Sequence, residues 1–259
     1  VFDGKTVFGG CDALLHVLSL VNGEKVKEVE AGAYIAASVA IKDNRAYVGH
    51  YENEFLCIDL EKGTNLWTFR DKNFAYFSSP AVTDDKVIFG GRDKYLHCLN
   101  RATGKQIWSF PTRGKVDSSP AVAGDKVVVG SDDGRLYIVN LATGKELWRA
   151  TGLKSHAIAT PVVGHGLVIL SSGFPTKTVV AIRLGGSGNL DETDRIVWRY
   201  NKGTAYVPSP ILYGDYVYLM SDAGILTCLN ARTGEVVYEG GRVPIATKFY
   251  GASPVAFDG

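Results

Sequence analysis

Residues 118–148 read SSPAVAGDKVVVGSDDGRLYIVNLATGKELW. Three strands and the start of a fourth are legible in this stretch. Ser118 to Val122 is a short strand closed by the turn Ala123-Gly124-Asp125, and Lys126 to Gly130 is a second, valine-rich strand. Asp132-Asp133-Gly134 marks a tight hairpin, because Asp tolerates the left-handed backbone region and Gly occupies it without steric conflict. Arg135 to Asn140 follows as a third strand of alternating character. Ala142-Thr143-Gly144-Lys145 turns the chain again, and Glu146 to Arg149 opens a fourth strand with Trp148. Four short antiparallel strands in about 40 residues make one meandering sheet with two apolar faces, which needs copies of itself on both sides.

The copies are present. The turn glycines Gly23, Gly63, Gly104, Gly144 and Gly234 are spaced by 40, 41, 40 and 90 residues, so the last interval holds one enlarged repeat. Pro80, Pro120, Pro161, Pro210 and Pro254 mark the first-strand phrase at matching places, and Val39 fills that place earlier. A period near 40 residues with four strands predicts an all-β chain folded as a β-propeller of four-stranded antiparallel blades, with about six repeats in a single domain over residues 1–259. The repeats fall at 1–31, 32–73, 74–114, 115–154, 155–204 and 205–248, with one more first strand at 249–259. Repeat one lacks a first strand and the tail supplies one. That complementarity fits a closed six-bladed ring and, equally, a trimmed part of an eight-bladed one. Repeat five replaces its Thr-Gly-Lys turn with the insertion Leu184 to Arg195, in which Gly185-Gly186-Ser187-Gly188 reads as a flexible loop.

Bulk properties narrow the function. The chain carries 28 basic and 27 acidic residues, a net charge of +1. A broad nucleic-acid surface or a polybasic membrane patch needs a clear excess of Lys and Arg, so neither is expected. There is no run of 18 apolar residues, hence no expected transmembrane helix. Cys57, Cys98 and Cys228 share one repeat position, held in repeat four by Ile138, and read as small core residues. Equivalent positions on different blades lie beyond the roughly 7 Å Cα separation that a disulfide spans. Neither they nor Cys11 shows a zinc spacing.

The phrases SSPAV (118–122), GSDDGRLYIVNLATGKELW (130–148) and GGRDKYLHCLNRATGKQIW (90–108) resemble the repeat of pyrroloquinoline quinone (PQQ) enzymes. The resemblance runs over essentially the whole chain. It implies the propeller architecture more specifically than it implies any activity, since the family includes quinoprotein dehydrogenases and also non-catalytic propellers such as the outer-membrane assembly lipoprotein. It also implies that Trp67, Trp108, Trp148 and Trp198 sit on outermost strands and dock between neighbouring blades. Lys27 and Tyr238 stand at that position in repeats one and six. Lys27 is expected to mark a weaker or differently packed junction.

A quinoprotein dehydrogenase would need an adjacent cysteine pair, a Trp floor under the cofactor, oxygen ligands for Ca²⁺ and an Asp base. No Cys-Cys pair occurs, and no Trp lies outside the blade-docking register. Asp132-Asp133-Gly134 lacks the spaced acidic ladder of a calcium loop. The hydrolase, metalloprotease and phosphate-loop motifs GxSxG, HExxH and GxxxxGK[ST] are absent. The sequence therefore reads as a non-catalytic binding or scaffolding propeller with no cofactor, acting on a protein or small-molecule partner. The alternative is a PQQ-dependent dehydrogenase of alcohols or sugars, with PQQ and Ca²⁺, or a degenerate relative of one. A periplasmic or extracellular location is implied by the resemblance alone.

Strand-packing residues repeat from copy to copy, but those just ahead of each SSP phrase do not. Tyr34, Tyr76, Lys115, Asp117, His156, Tyr206 and Tyr250 fall there, accompanied by Phe74, Phe77, Arg113 and Lys248. In a propeller these loops border a mouth of the central channel, a natural concave site. They are the candidate ligand-binding residues. Replacing Tyr76 and Tyr206 by Ala is expected to remove binding with little loss of fold.

Overall fold

The computed structural model describes residues 2–151, 153, 157–172, 177–189, 195–202, 207–242 and 253–255. The chain divides into two compact units, Val1–Pro120 and Ala121–Gly259.

In the first unit, β1 (Lys5–Gly9), β2 (Leu14–Ser19) and β3 (Lys25–Glu30) form a three-stranded sheet, the repeat without its first strand. β4 (Ala40–Lys42), β5 (Arg45–Gly49), β6 (Phe55–Asp59) and β7 (Thr64–Phe69) form a four-stranded sheet, as do β8 (Ala81–Val82), β9 (Lys86–Gly90), β10 (Tyr95–Asn100) and β11 (Gln106–Pro111). In the second unit, β12 (Ala121–Ala123), β13 (Lys126–Ser131), β14 (Arg135–Asn140) and β15 (Glu146–Ala150) form the next sheet. β16 (Val162–Gly164), β17 (Leu167–Ser172) and β18 (Thr178–Arg183) come next, then the short β19 (Gly188–Asn189) and β20 (Ile196–Tyr200). β16, β17, β18 and β20 make the fifth sheet; β21 (Ile211–Tyr213), β22 (Tyr216–Met220), β23 (Ile225–Asn230) and β24 (Val236–Arg242) make the sixth. Consecutive strands of each sheet pair antiparallel, in the order the sequence predicts.

Two details differ from the sequence reading. The third strand of repeat four does not alternate: Leu136, Tyr137, Ile138 and Val139 are all buried. The second sheet shows the reason. Along β6, Leu56 and Ile58 pack in one core with Leu15 and Val17 of the first sheet, while Phe55 and Cys57 pack in another with Val87 and Phe89 of the third. A strand covered on both faces keeps its period of two but is apolar at every position. Second, Gly185 to Gly188 is not merely a flexible loop. Gly188 and Asn189 of β19 pair in parallel with Trp148 and Arg149 of β15, adding a fifth strand to the preceding repeat's sheet. Arg195 closes the neck of this excursion: its guanidinium donates to Gly185 O, and its carbonyl accepts the Arg183 N–H at 2.9 Å.

Repeated polar devices join the sheets within each unit. Ser38 N–H donates to Ser79 Oγ at 2.9 Å, and Ser79 N–H donates to Ser119 Oγ at 3.0 Å. In the second unit Thr160 N–H reaches Ser209 Oγ, and Ser209 N–H reaches Ser253 Oγ, each at 2.9 Å. The second serine of the SSP phrase thus serves the neighbouring sheet, which explains a motif that strand propensity alone does not. The outer-strand tryptophans dock as the resemblance implied. Trp67 Nε1 donates to Arg101 O at 3.1 Å and Trp198 Nε1 to Ala231 O at 2.9 Å. Each indole covers a turn glycine of the next repeat: a Cβ on Gly104 would fall 2.6 Å from Trp67 Cδ2. Gly104 and Gly144 are left-handed, at φ of 69° and 68°, as expected.

Lys27 imitates half of this device. Its Nζ donates to Glu61 O at 2.7 Å, the carbonyl 34 residues ahead, just as Arg101 O lies 34 residues ahead of Trp67. The junction keeps the hydrogen bond and loses the ring.

The cysteines are free, with Cys11 exposed and Cys57, Cys98 and Cys228 buried. Burial pushes the Cys57 thiol up to about 11 and that of Cys98 up to about 12, so both stay protonated and inert at neutral pH.

Candidate functional site

The loops ahead of β4, β8 and β12 are each tied to the preceding repeat by a backbone bond. Ile35, Tyr76 and Val116 donate to Gly10, His50 and Gly91 of the preceding repeat, at 3.1, 3.4 and 3.1 Å. One residue earlier, Tyr34 and Ala75 accept from Tyr51 and Arg92 of their own repeat, at 3.0 and 3.2 Å. These bonds fix which loop residues point inward. Ile35, Tyr76 and Val116 are buried, and the next position, Ala36, Phe77 and Asp117, is partly or fully exposed.

The structure therefore separates the candidates. Tyr34 is 56% exposed. Lys115 is exposed too, and Asp117 is partly so. Tyr76 lies wholly inside the first unit, edge-on to Phe89 at 5.2 Å and to His97 at 5.7 Å. Its hydroxyl makes no close hydrogen bond, only a weak backbone contact at Asp71, and burial raises its pKa far above the usual tyrosine range. Tyr76 is a core residue of the loop. The expectation that Tyr76→Ala leaves the fold intact does not hold for a ring packed in this way. His156, Tyr206 and Tyr250 lie outside the described residues, as does Lys248.

Two residues the sequence reading did not select complete a surface in the first unit. Arg92 forms a two-pronged ion pair with Asp117, Nε to Oδ1 at 3.0 Å and Nη2 to Oδ2 at 2.8 Å. The same guanidinium lies 4.0 Å from the Phe77 ring centroid. Tyr51 packs against the same Phe77 ring, 4.4 Å between centroids, and remains 50% exposed. Phe74 is 49% exposed. The result is a ledge of Tyr34, Tyr51, Phe77, Arg92 and Asp117. A signal for it exists in the sequence. Tyr51 and Arg92 occupy the hairpin position where repeats four and six carry Asp132 and Asp222. The position that varies in one repeat's hairpin touches the position that varies in the next repeat's loop.

Beside Tyr51, His50 is 1% exposed; its Nδ1 accepts the Glu52 N–H at 3.1 Å, and Nε2 lies 3.5 Å from Glu54. Burial lowers its pKa below the ordinary 6.5, against the raising influence of Glu54 and Glu52. The unfolded chain takes up a proton as pH falls through about 6.5, and the folded chain does so only lower. His50 therefore stabilises the fold less as pH drops from about 6.5 towards its folded pKa, and its contribution is constant above that window. Melting temperatures measured from pH 8 to 5.5 are expected to fall more steeply for the wild type than for His50→Asn; parallel profiles would rule this out.

Asp71, Asp93 and His97 bring three potential metal-ligand atoms within 4.8 Å. Most of that geometry has a structural origin. His97 Nε2 bonds Asp93 Oδ2 at 2.9 Å, repeating the pairs His16–Asp12 at 2.7 Å and Tyr137–Asp133 at 2.7 Å. In each, the hairpin Asp holds the aromatic donor four residues on. Asp133 thus acts in a hairpin, as its sequence setting indicates.

Comparison with known proteins places this architecture. A family model described as "Outer membrane protein assembly factor BamB" matches residues 92–241, more than half of the chain. Curated proteins of that name from Escherichia coli (strain K12) and Shigella dysenteriae serotype 1 (strain Sd197) are 26% identical over 104 residues. Those matches span 40% of this chain and 25% of each relative. Among solved structures, BamB from Moraxella catarrhalis superposes with a TM-score of 0.76 at 19% identity, over 92% of this chain and 74% of that one. The computationally designed Ika8 protein gives 0.71 at 14% identity, over 100% and 89%. At these identities the two structures speak for the fold alone, and they agree with the β-propeller predicted from the repeat. The sheets described above are its blades, and the chain belongs to the BamB family of PQQ-like repeat propellers.

Proposed function

We propose that this chain is a non-catalytic scaffolding propeller that receives a protein partner on the aromatic–arginine ledge of its first unit. The observation that carries the reading is the ledge itself. Tyr34 and Tyr51 stand about half exposed, and Arg92 is held between Phe77 and Asp117 on loops stitched by backbone bonds. Tyr, Phe and Arg are the residues enriched at protein interfaces, and a rigid platform reduces the ordering cost of binding. The name of the curated relatives, outer membrane protein assembly factor, points to a partner among the components of outer-membrane protein assembly.

The positions of the four tryptophans support a reading without PQQ. Trp67 and Trp198 are committed to carbonyls of the next repeat, and Trp108 and Trp148 are buried, so none is offered as a floor for a planar quinone. Replacing Tyr51 or Tyr34 by Ala is expected to weaken the complex with the assembly machinery by about 2 kcal/mol, roughly 30-fold in Kd, with melting unchanged. Unaltered affinity in both variants would remove the ledge from the interface. A stoichiometric absorbing complex with PQQ and Ca²⁺, together with dye-coupled alcohol or sugar oxidation, would favour the dehydrogenase instead.

A further inference from the structure

We infer that the junction of the first and second sheets is a binding site for an indole-sized aromatic ring, vacated by the substitution of Lys27 for the repeat tryptophan. The chain itself shows what such a socket holds. Between the second and third sheets, Trp67 covers Gly104 and bonds Arg101 O. In the second unit Trp198 covers Gly234, where a Cβ would fall 2.6 Å from its Cγ, and bonds Ala231 O.

At the first junction the matching parts are Gly63 and Glu61 O. Lys27 reaches both: a Cβ on Gly63 would fall 3.1 Å from Lys27 Cε, and Nζ bonds the Glu61 carbonyl. A single file of methylenes cannot fill the width of a bicyclic ring. Lys27 covers Gly63 itself, and beside it, bordered by Leu60 and Glu61 but not by Gly63, lies a pocket of about 370 Å³. Its apolar lining comes from Phe2, Val17, Val26 and Leu60, and its polar lining from Asp3, Lys5, Lys27, Asn44 and Glu61. Val26 is 52% exposed, so the pocket is reached from solvent.

The lining chemistry selects a flat aromatic ligand. Apolar side chains suit the ring faces, and the Lys27 ammonium is a cation–π partner at its edge of the pocket. Glu61 O retains a second lone pair for an N–H donor, so indole is favoured over benzene. A carboxylate ligand gains less, because Lys5, the other cation of the lining, is already paired with Asp3 at 2.7 Å. The ring has two possible sources, a free aromatic compound or a tryptophan side chain presented by a partner. Both offer the same chemistry.

The test is calorimetric titration of the full chain with indole and, separately, with N-acetyl-tryptophanamide. One saturable site per chain is expected for at least one of the two probes. Saturation by indole alone identifies a small-molecule site, and saturation by the amide identifies a side-chain socket. Lys27→Trp is expected to abolish binding and raise the melting temperature by a few degrees, since it refills the socket from within. Should that variant fail to fold, Val26→Glu places a carboxylate on the exposed lining and is expected to weaken binding at least tenfold with melting unchanged. Absence of saturable binding by the wild type overturns the inference, as does unchanged affinity in either folded variant.

Discussion

Gly49→Ala is expected to destabilise the first unit by about 3 kcal/mol, a drop in melting temperature of roughly 6–12 °C. Gly49 ends β5 in ordinary extended backbone, so no left-handed conformation demands glycine there. The demand is steric. A Cβ would fall 2.5 Å from Tyr76 Cβ and 2.7 Å from Tyr76 O, against backbone that is itself bonded to His50 O. The loop of the next repeat cannot retreat without breaking that bond. The same close approach recurs between Gly9 and Ile35 and between Gly90 and Val116. Gly241→Ala is the control: nothing lies within 4 Å of its Cβ position, and its backbone is not left-handed. With no clash, a Gly→Ala change stabilises by about 0.4–1 kcal/mol through the unfolded chain. The two substitutions are therefore expected to have opposite signs in a denaturant titration, and equal small effects would refute the close-approach argument.

Tyr76→Ala is expected to destabilise by about 4 kcal/mol, whereas Tyr76→Phe is expected to change stability by less than about 1 kcal/mol. The ring is fully buried against Phe55, Phe89 and His97, so truncation leaves a cavity among aromatic neighbours. The hydroxyl is buried with at most a weak backbone contact at Asp71, so deleting it removes a desolvated polar group and keeps the packing. The pair of variants also separates structure from recognition. Loss of partner binding in Tyr76→Ala with full binding in Tyr76→Phe would follow from unfolding alone. A folded Tyr76→Phe that no longer binds would show that the hydroxyl is reached by a ligand.

The positions ahead of the SSP phrases differ between repeats, and that difference marks them as candidates. It selected Asp117, which the structure pairs with Arg92, and Tyr34, which it exposes. It selected Tyr76 equally, although that ring is core. Variation cannot separate the two cases, because an inward position also varies when its neighbours vary with it. Around Tyr76 the third blade supplies the rings of Phe89 and His97. Tyr51 and Arg92 escaped selection because they sit in hairpins, whose signature Asp-Gly chemistry suggests turns alone.

The sequence by itself determined the period, strand order, turn glycines, buried cysteines and the register of the outer tryptophans. Each follows from local chemistry repeated every 40 or so residues, and repetition makes a weak local signal certain. Tertiary structure decided which loop residues face solvent, that Arg92 grips Asp117 across 25 residues, that residues 188–189 join the preceding sheet, and that Lys27 keeps a tryptophan's hydrogen bond with a pocket open beside it. Those outcomes depend on where the next copy's backbone arrives, and no residue's own neighbours in sequence record that distance.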